Sequence, residues 1–483
     1  MSFFEREPIL AWTTAEFWIE GYKWAWPALI YTLGLLATID AIWNGRTSQG
    51  TLAWVTGLTF IPFIALPLYL FFGSRKFHGY RKARKASSKV LHKLHFEQKM
   101  CAEAFVSTNK SSALIPLEAM SRLPQSEENN VRLLINGEQT FAHIFNAIET
   151  AKHTILVQFY IVNNDALGRR LQQALIAKAQ QGVKVYFLYD EIGSAWLRSQ
   201  YLVEMRKAGI ECSRFNPRNI KHRLQLNFRN HRKLVVVDGR TCFIGGHNVG
   251  DEYLGCTPNV DLWRDTHLQI DGPATLAAQL SFVEDWYWAQ RTVLNLDWQA
   301  YRSKENMKAL IIPSGPSDTI ETMSLSFVHL ILSAKRRVWI ATPYFVPDLN
   351  VVGALQLAAL KGLDVRILLP DKHDNFIISL ATRNYVSELR KLGIHFSQYR
   401  LGLLHQKTML IDNDLSYIGS ANLDNRSLRI NFELNALIEC NKLGKEVETM
   451  FLHDFSHSIT YPKEHNFLVT LASKAARLFS PIL

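Results

Sequence analysis

The chain has 483 residues, more than one ordinary hydrophobic core accommodates, so two domains or two fused halves are expected. Lysine and arginine (54) outnumber aspartate and glutamate (43), and the net charge of +11 favours a polyanionic partner, either nucleic acid or an anionic membrane face, over an ordinary basic surface. Five scattered cysteines without a C-x-x-C pair are typical of reduced thiols and argue against a disulfide framework or a zinc site.

The N-terminal region predicts attachment to a membrane. Residues 1–23 carry aromatic side chains among mixed charges, which is compatible with an interfacial helix or with a disordered segment. Two apolar runs follow, at 24–43 and 51–72, and each has the roughly 20 residues that a helix needs to cross a bilayer core of about 30 Å. Tryptophans stand near the ends of these runs, as in an interfacial aromatic belt. We therefore predict a transmembrane hairpin over 24–73, with two buried core helices as the weaker alternative.

The distribution of lysine and arginine predicts the orientation of this hairpin. The turn between the runs holds one basic residue, Arg46, whereas eight basic residues stand between positions 75 and 93. Because basic loops remain on the cytoplasmic side, the turn should face outward and everything after residue 73 should be cytoplasmic. Residues 74–127 are interpreted as a basic linker that also attracts anionic headgroups.

From about residue 128 the sequence alternates between strand-like and helix-like segments, and it repeats itself. Residues 151–165 align without a gap with residues 334–348, and a helix, a strand and the same polar motif follow each segment. This pattern predicts a duplicated α/β body with halves 128–305 and 306–483, related by a pseudo-twofold axis. Such an axis can bring the two motifs to one cleft.

The motif in each half reads H-x-K-x-x-x-x-D and is followed by a small-residue turn that ends in asparagine. Its members are His231, Lys233, Asp238 and Asn248 in the first half, and His405, Lys407, Asp412 and Asn422 in the second. The apolar residues between lysine and aspartate predict a buried strand, so histidine and lysine should lie at its mouth on one face. One such match is weak, but two in-register copies are strong.

These residue types are suited to chemistry at a phosphate. A histidine can act as nucleophile or as proton donor, and a lysine two residues away supplies a fixed positive charge. Asparagine amides and glycine N–H groups are donors for phosphoryl oxygens, so Asn248 and Asn422 are predicted to bind substrate. In-line displacement needs an attacking group and a proton donor on opposite sides of phosphorus, which two motifs supply together. This chemistry requires no metal or other cofactor, and the sequence has no Walker A, G-x-G-x-x-G or G-x-S-x-G pattern.

Two further acids are predicted to orient the imidazoles, as in a catalytic triad. Asp265 and Glu433 each begin the strand that follows an asparagine turn, although a surface salt bridge is the alternative. We count Asp238 and Asp412 with the catalytic motif, but they should fix a turn, because the intervening strand holds them away from the phosphate.

Several other residues have a plainer interpretation. Tyr160 and Tyr344 stand near the ends of matching strands and are interpreted as core residues rather than as cleft walls. The basic stretch from Arg214 to Arg229 fits either a bilayer contact or a solvated loop. Four histidines are interpreted as ordinary polar residues: His222, His247, His267 and His373.

The motif pair resembles the HKD signature of the phospholipase D superfamily over residues 128–483. Residues 229–238, 404–407 and 422–427, together with Gly246 where the superfamily more often has serine, look like bacterial cardiolipin synthases. The resemblance implies duplicated phospholipase D-like α/β domains behind a membrane hairpin, in a multi-pass protein of the bacterial inner membrane.

The same resemblance implies an activity and a mechanism. One phosphatidylglycerol would transfer its phosphatidyl group to another, giving cardiolipin and glycerol, without a nucleotide, a cofactor or nucleic acid. By superfamily analogy, His231 would form a phosphatidyl-histidine while His405 acts as acid and then base, although the near-symmetry of the motifs allows the roles to be exchanged.

The motifs alone leave rival functions open. A hydrolytic phospholipase D, a phosphatidyltransferase that uses another alcohol, and an endonuclease would all contain them, but the membrane hairpin argues against the endonuclease. A non-catalytic, membrane-tethered binder of phosphoinositides or nucleic acid is less favoured, because a binder would be free to lose an imidazole. The choice of transfer over hydrolysis depends on the resemblance.

Overall fold

The computed structural model describes residues 14–45, 48–73, 114–215, 228–256, 262–372, 375–462, 466–478 and 480. The expectations for residues 1–13, for the linker 74–113, for the basic residues within 216–227 and for His373 lie outside this part. The N-terminal helices form one compact unit, and the chain from residue 114 onward belongs to a second unit, the body.

The first apolar run forms a long helix. Helix α1 (Thr14–Asn44) contains 31 residues, and its stretch Ala25–Asn44 is long and apolar enough to cross a membrane, with a mean hydropathy of 1.5. Within the described ranges it is the one helix that meets both criteria. The first half of the predicted hairpin is therefore supported by length and composition.

The second apolar run differs from the expectation of one spanning helix over 51–72. It forms two shorter helices, α2 (Ser48–Phe60) and α3 (Pro62–Phe72), separated at Ile61. Pro62 has no N–H to donate, and its ring clashes with a preceding helical carbonyl, which favours a break. The break itself lies at Ile61, whose φ of −135° and ψ of 55° are not helical, whereas Pro27 and Pro67 are accommodated inside α1 and α3. At 1.5 Å per residue these helices are about 20 and 17 Å long, each shorter than a bilayer core of about 30 Å. The two-helix hairpin is only partly confirmed.

Contacts between side chains show that α3 folds back on α2. The rings of Trp54 and Tyr69 lie 5.2 Å apart between centroids, although 15 positions separate them in the sequence. The Tyr69 hydroxyl donates to Asp40 Oδ2 at 2.7 Å, which gives the one acidic residue of the first run a partner. Gly34 lets α1 approach α2 closely, since a Cβ there would lie 2.9 Å from the Leu58 carbonyl oxygen.

The body is built from alternating strands and helices. Its helices are α4 (Ile115–Ser121), α5 (Asn136–Thr150), α6 (Ala166–Gln180), α7 (Ser199–Lys207), α8 (Ala274–Gln290), α9 (Thr322–Ser333), α10 (Leu349–Leu360), α11 (Phe376–Leu389), α12 (Asn425–Arg429), α13 (Asn441–Ser456) and α14 (Phe467–Arg477). Strands of the first half are β1 (Ser126–Ile135), β2 (Thr154–Phe159), β3 (Lys184–Tyr189), β4 (Glu211–Arg214), β5 (Leu234–Val237), β6 (Thr241–Gly245), β7 (Trp263–Arg264) and β8 (Thr266–Asp271). Strands of the second half are β9 (Met307–Ser314), β10 (Arg337–Ala341), β11 (Phe345–Val346), β12 (Asp364–Pro370), β13 (His395–Tyr399), β14 (Leu403–Leu404), β15 (Thr408–Ile411), β16 (Leu415–Gly419), β17 (Leu423–Asp424), β18 (Glu433–Glu439) and β19 (Ser458–Thr460).

One 15-stranded sheet runs through both halves in the order β19-β13-β12-β10-β15-β16-β18-β9-β1-β8-β6-β5-β2-β3-β4. Strands β9 and β1 join the halves, and outward from this junction the order of strands is the same on each side, apart from the additional edge strand β19. This confirms the duplicated, pseudo-twofold α/β fold that the sequence predicts.

The register of the strands repeats as closely as their order. In the first half Gln158 of β2 stands between Leu188 of β3 and Leu234 of β5. In the second half Ala341 of β10 has the same position between Leu368 and Thr408. The antiparallel strand that follows the histidine and lysine of each motif therefore begins at the edge where the parallel strands β2 and β10 end. Both histidine–lysine pairs thus lie at one edge of the sheet.

The cores lie on both faces of the sheet. Helices α8 and α13 cover one face, where the two halves share a single hydrophobic core. Residues that alternate with these pack into separate cores on the opposite face, one for each half. Residues 114–127, which the sequence assigned to the linker, belong to the body, because Leu114 and Leu117 are fully buried in the core of the second half.

Candidate active site

The two predicted histidines lie just before strands β5 and β15, at the shared edge of the sheet. The main chain of each is bound to the opposite half: His231 N donates to the Phe432 carbonyl at 2.9 Å, and His405 N donates to the Arg264 carbonyl at 2.8 Å. In both cases the accepting residue directly precedes one of the acids that the sequence singled out, so backbone pairing fixes which acid meets which imidazole.

The imidazoles and the acids are paired crosswise. His231 Nδ1 is 2.9 Å from Glu433 Oε2, and His405 Nδ1 is 2.6 Å from Asp265 Oδ2. Both carboxylates are completely buried, whereas the imidazole side chains keep 11% and 13% of their surface exposed. Each Nδ1–H therefore donates to a carboxylate of the other half, which leaves each Nε2 as the atom available to a substrate.

The motif lysines are buried beside their own histidines. Lys233 Nζ donates to the His231 carbonyl at 2.7 Å, and Lys407 Nζ donates to the His405 carbonyl and lies 2.8 Å from the ring nitrogen Nδ1 of the same residue. Lys407 Nζ is also 3.9 Å from Asp265 Oδ2. Two lysine amino groups are thus held at the imidazoles by contacts that leave the Nε2 atoms uncovered. Burial, opposed by Glu433, lowers the pKa of Lys233 well below its ordinary value, so an anion bound at the site would stabilise its charged form.

The charged groups of each motif also act on the histidine of the other motif. Burial, opposed by Glu433, lowers the pKa of His231, and the charges of both Lys233 and Lys407 lower it further. Burial and then Lys407 lower the pKa of His405 to about 3, and Lys233 contributes as well. Each lysine therefore acts on the histidine of the other half. An anion bound between them would offset the lysine charges and raise both histidine pKa values.

The two carboxylates remain ionised in this setting. Burial raises the pKa of Asp265, but the charges of Lys407 and His405 outweigh it and bring the pKa below the usual range. Burial is likewise outweighed at Glu433 by the charge of His231 and its hydrogen bond, and the pKa is lowered. Ionised carboxylates stabilise the imidazolium that forms when an Nε2 accepts a proton or a phosphoryl group.

The residue between histidine and lysine anchors each motif to the opposite face of the sheet. Arg232 Nη1 donates to Asp285 of α8 at 2.9 Å, and Gln406 Nε2 donates to Asp454 of α13 at 2.7 Å. Arg264 forms a second buried ion pair with Asp454 at 2.8 Å. Sequence reasoning missed these anchors, although alternation along a strand implies that the middle residue of H-x-K points away from the histidine.

The small residues of the two turns differ, and so do the acids that they contact. Gly246 leaves room for the Asp265 carboxylate, since a Cβ at Gly246 would lie 2.1 Å from Asp265 Oδ1. At the matching position Ser420 Oγ donates to Glu433 Oε2 at 2.5 Å and accepts from Leu434 N at 2.9 Å. The glycine–aspartate and serine–glutamate combinations are two ways to hold a carboxylate against an imidazole.

The asparagines predicted to bind substrate are buried and take part in local contacts. Asn248 accepts from Ile161 N at 3.1 Å and donates to the Tyr253 hydroxyl at 3.1 Å. Asn422 Nδ2 lies 3.5 Å from Asp424 Oδ2, and its buried Oδ1 has no hydrogen-bond partner among the described residues. The Asn248 amide therefore braces the turn that it ends, whereas the Asn422 contact is long, and binding of substrate by the two amides stays a prediction.

The motif aspartates lie at the far ends of β5 and β15. Both adopt positive φ angles, 52° at Asp238 and 51° at Asp412. The carboxylate of Asp238 accepts three main-chain N–H groups of residues 152–154, and that of Asp412 accepts those of residues 335–337. A strand of four residues, about 13 Å long, separates each from its histidine, so these acids fix turns and do not touch the reacting atoms.

Aromatic rings form the walls beside both histidines. The Tyr160 ring stands edge-on to His231 at 5.0 Å, and the Trp263 ring lies 4.9 Å from His405. The Arg229 side chain also donates a hydrogen bond to the Tyr160 hydroxyl. The interpretation of Tyr160 as a core residue is therefore wrong, because the strand ends one residue earlier and turns the ring toward the imidazole; Tyr344 packs against the second-half core as expected.

His247 and His267 form a buried pair behind Asp265. Their Nδ1 atoms are 3.4 Å apart, and burial lowers the pKa of His247 to about 4 and that of His267 well below its ordinary value. Both imidazoles are therefore neutral near pH 7 and pack as uncharged polar groups, with Phe141 edge-on to His247. Neither histidine is an additional proton donor of the site.

Comparison with known proteins identifies the family. The family described as "Cardiolipin synthase, PLD-like domain" matches residues 144–281 and 327–455, and "Phospholipase_D-nuclease N-terminal" matches residues 32–74. "Cardiolipin synthase A" of Pseudomonas putida (strain W619) is 44% identical over 465 residues, which covers 94% of this chain and 97% of that protein. The protein of the same name from Pseudomonas fluorescens (strain Pf-5) is 44% identical over 466 residues, with the same coverage.

A solved structure supports the fold. The phosphatidylserine synthase of Haemophilus influenzae superposes with a TM-score of 0.58, covering 77% of this chain and all of that one, at 14% sequence identity. With a family match in each half and relatives of this identity along nearly the whole length, the chain belongs to the cardiolipin synthase family of the phospholipase D superfamily, a family of phosphatidyltransferase enzymes.

Proposed function

We propose that the protein transfers the phosphatidyl group of one phosphatidylglycerol to the terminal hydroxyl of another, giving cardiolipin and glycerol. The observation that carries this proposal is the crosswise pairing of His231 with Glu433 and of His405 with Asp265 beside two buried lysines. Two oriented imidazoles supply the nucleophile and the proton donor, and two ammonium groups neutralise the phosphodiester charge in the transition state.

In the first step, His231 Nε2 attacks phosphorus, and the bond from phosphorus to the glycerol headgroup breaks. The departing glycerol oxygen takes the proton that His405 holds on Nε2, so glycerol leaves as a neutral alcohol. The positive charge on the phosphorylated imidazole faces Glu433, and its Nδ1–H continues to donate to that carboxylate. The anionic diester raises the histidine pKa values by offsetting Lys233 and Lys407, so His405 can take up from solvent, and hold on Nε2, the proton that it donates.

In the second step, a second phosphatidylglycerol takes the place of glycerol. His405, now neutral, removes the proton of its primary hydroxyl, and the oxygen attacks the phosphorus of the phosphatidyl-histidine. The bond to His231 Nε2 breaks, cardiolipin leaves, and both imidazoles return to their starting protonation states. One phosphodiester is exchanged for another, so no nucleotide is consumed.

Superfamily analogy makes His231 the nucleophile. The carboxylates differ in their further partners: Glu433 accepts from the Ser420 hydroxyl and the Asn431 amide, whereas Asp265 lies 3.9 Å from Lys407 Nζ. Lys233 also acts on Glu433, so both carboxylates can support a cationic imidazole, and the near-symmetry of the site allows the two roles to be exchanged.

The setting of the reaction is also part of the proposal. Helix α1 would anchor the protein in the bacterial inner membrane, and the excess of basic residues after position 73 favours a cytoplasmic body. The lipid substrates would then enter the site from the inner leaflet. Phosphatidylglycerol and other anionic lipids are the proposed partners, and no role for nucleic acid is proposed.

The decisive experiment uses purified full-length protein and phosphatidylglycerol vesicles without nucleotide. Cardiolipin and free glycerol are expected in equal amounts, whereas phosphatidic acid as the main product would instead indicate hydrolysis. His231→Ala and His405→Ala should each abolish turnover, because neither imidazole can perform both steps. His453→Ala is the matched control, since that side chain is 63% exposed on α13. Turnover by either active-site variant would contradict the two-histidine mechanism.

A further inference from the structure

Two exposed aromatic side chains follow equivalent strands in the two halves of the body. Trp196 follows β3 and is 88% exposed, and Phe376 follows β12 and is 76% exposed. They are 180 positions apart, the same interval that separates Leu188 from Leu368, which have equivalent positions in the two sheet registers. Each ring therefore lies eight residues beyond an equivalent strand position, although Trp196 is in a turn and Phe376 begins helix α11.

Both aromatics are carried by segments that leave the sheet at the edge where the histidines lie. Strands β3 and β12 run parallel to β2 and β10, whose carboxyl ends adjoin the starts of β5 and β15, and they lie on opposite sides of the strands that carry the motifs. Trp196 and Phe376 thus stand on opposite sides of the mouth of the site. Single exposed apolar side chains are common on protein surfaces, whereas exposed rings that have a second exposed apolar side chain beside them and lie on both sides of one cleft indicate a ligand surface.

The first of these segments is attached directly to the site. A Cβ at Gly193 would lie 2.3 Å from the Tyr160 carbonyl oxygen and 2.7 Å from the Tyr160 ring. The segment therefore packs tightly on Tyr160, whose ring contacts His231. Asp190 Oδ1 accepts from Gly193 N at 3.0 Å, and Oδ2 accepts from Asn230 N at 2.9 Å, immediately before His231. Trp196 is therefore presented by a rigid support.

The second segment has an equivalent attachment. Helix α11 begins with Phe376 and is bound to β11 by Thr382 Oγ1, which donates to the Phe345 carbonyl at 3.2 Å. Strand β11 pairs with β17, where Phe345 stands opposite Leu423, the residue after Asn422. Both aromatics are thus positioned by the elements that build the two halves of the site.

The chemistry around each ring is the same. A second apolar side chain accompanies each aromatic: Ile192 is 37% exposed and Ile377 is 46% exposed. An exposed basic residue is also close in the sequence: Arg198 two positions after Trp196, and Lys372 four positions before Phe376. Apolar rings flanked by positive charge complement a bilayer surface, where rings enter the headgroup region and cations meet anionic lipids.

We propose that Trp196 and Phe376 dock the mouth of the site onto the lipid–water interface of an anionic bilayer. The docking proposal depends on the proposed function in one respect: the membrane is taken to contain the lipid substrate. It holds both halves of the cleft against one leaflet, so that a lipid headgroup can reach the imidazoles while its acyl chains remain in the bilayer. A surface for a second copy of this chain is the alternative occupant.

The first test measures the depth of Trp196 in full-length protein in vesicles of phosphatidylglycerol and phosphatidylcholine with brominated acyl chains. Trp196→Phe removes one of the 12 tryptophans, so the difference between wild-type and variant emission isolates Trp196. We expect this difference signal to be quenched by bromine placed near the headgroups. A difference signal that is quenched only by aqueous iodide would overturn the proposal. Protection of Trp196 from iodide in lipid-free detergent, increasing with protein concentration, would also overturn it, because it would indicate contact with a second copy of the chain.

The second test measures activity with Trp196→Glu/Phe376→Glu. We expect turnover of phosphatidylglycerol in vesicles to fall by about a hundredfold, about tenfold for each ring withdrawn from the interface. Short-chain phosphatidylglycerol dispersed in detergent should be used at close to the wild-type rate, because the rings do not contact the reacting groups. Equal losses on both substrates would overturn the proposal.

The matched control is Leu357→Glu/Leu360→Glu, at the end of α10 that approaches the opposite edge of the sheet, where the two leucines are 51% and 69% exposed. This variant should leave activity on vesicles unchanged. A loss as large as that of Trp196→Glu/Phe376→Glu would contradict a specific docking surface. If wild-type protein forms no cardiolipin, the proposed function is contradicted but the docking proposal is not, because the quenching measurement does not depend on turnover.

Discussion

The crosswise pairing of acids and histidines makes Glu433→Gln the most informative substitution. At 2.9 Å and an effective dielectric constant of about 20, the ion pair between Glu433 and a cationic His231 is worth about 6 kcal/mol. Glutamine retains a hydrogen bond of about 1 kcal/mol, so about 5 kcal/mol of transition-state stabilisation is lost. At 1.36 kcal/mol for each factor of ten, turnover should fall by three to four orders of magnitude.

Asp265→Asn should cause a loss of similar size through the other histidine, and one assay separates the two. A phosphatidyl ester of p-nitrophenol needs no proton on its leaving group, so formation of the phosphatidyl-histidine then depends on His231 alone. Asp265→Asn should still release a burst of p-nitrophenol and accumulate a phosphoramidate that is stable to base and labile to acid. Glu433→Gln should give neither.

Glu439→Gln is the matched control, because it makes the same substitution at the other end of β18, next to Lys308. It should leave turnover unchanged. A burst of p-nitrophenol from Glu433→Gln, without a burst from Asp265→Asn, would show that His405 is the nucleophile and His231 the proton donor. Turnover within tenfold of wild type in both variants would refute the crosswise support itself.

Three further substitutions test the surrounding structure. Gly246→Ser places a Cβ 2.1 Å from Asp265 Oδ1, so we expect at least a hundredfold loss of turnover without a loss of folding by circular dichroism; wild-type activity would show that the carboxylate can move. Asp238→Asn weakens the three main-chain bonds of a turn, so the free energy of unfolding should fall by about 1–3 kcal/mol while kcat of the folded protein stays within a few-fold, and a large loss of kcat would return this acid to the chemistry. The lowered pKa of His247, about 4 instead of 6.5, means that the unfolded chain binds a proton that the folded chain does not, so stability falls as the pH drops from 6.5 towards 4, by about 3 kcal/mol. His247→Ala, which copies Ala421 of the other half, should make the pH dependence of thermal unfolding in detergent shallower over this interval, and an unchanged slope would contradict the assignment.

The local pattern of apolar and polar residues was sufficient to predict the repeated α/β architecture. Apolar runs bounded by polar residues predicted strands over residues 408–411, and the structure has the same strand there. The duplication was visible because two halves under the same packing constraints retain the same spacing of small, apolar and polar residues. The second apolar run was the exception, since hydropathy counts apolar residues without registering that Pro62 interrupts the helix.

The candidate site was only half visible in the sequence. The spacing of each motif determined that a histidine and a lysine share one face, and that Asp265 and Glu433 begin the next strands. Only the tertiary structure decided that each acid serves the histidine of the opposite half, because that choice depends on the pairing of Phe432 with His231 and of Arg264 with His405. Contacts between residues some 140 to 200 positions apart leave no periodic trace in a sequence; they arise when two halves pack around a common axis.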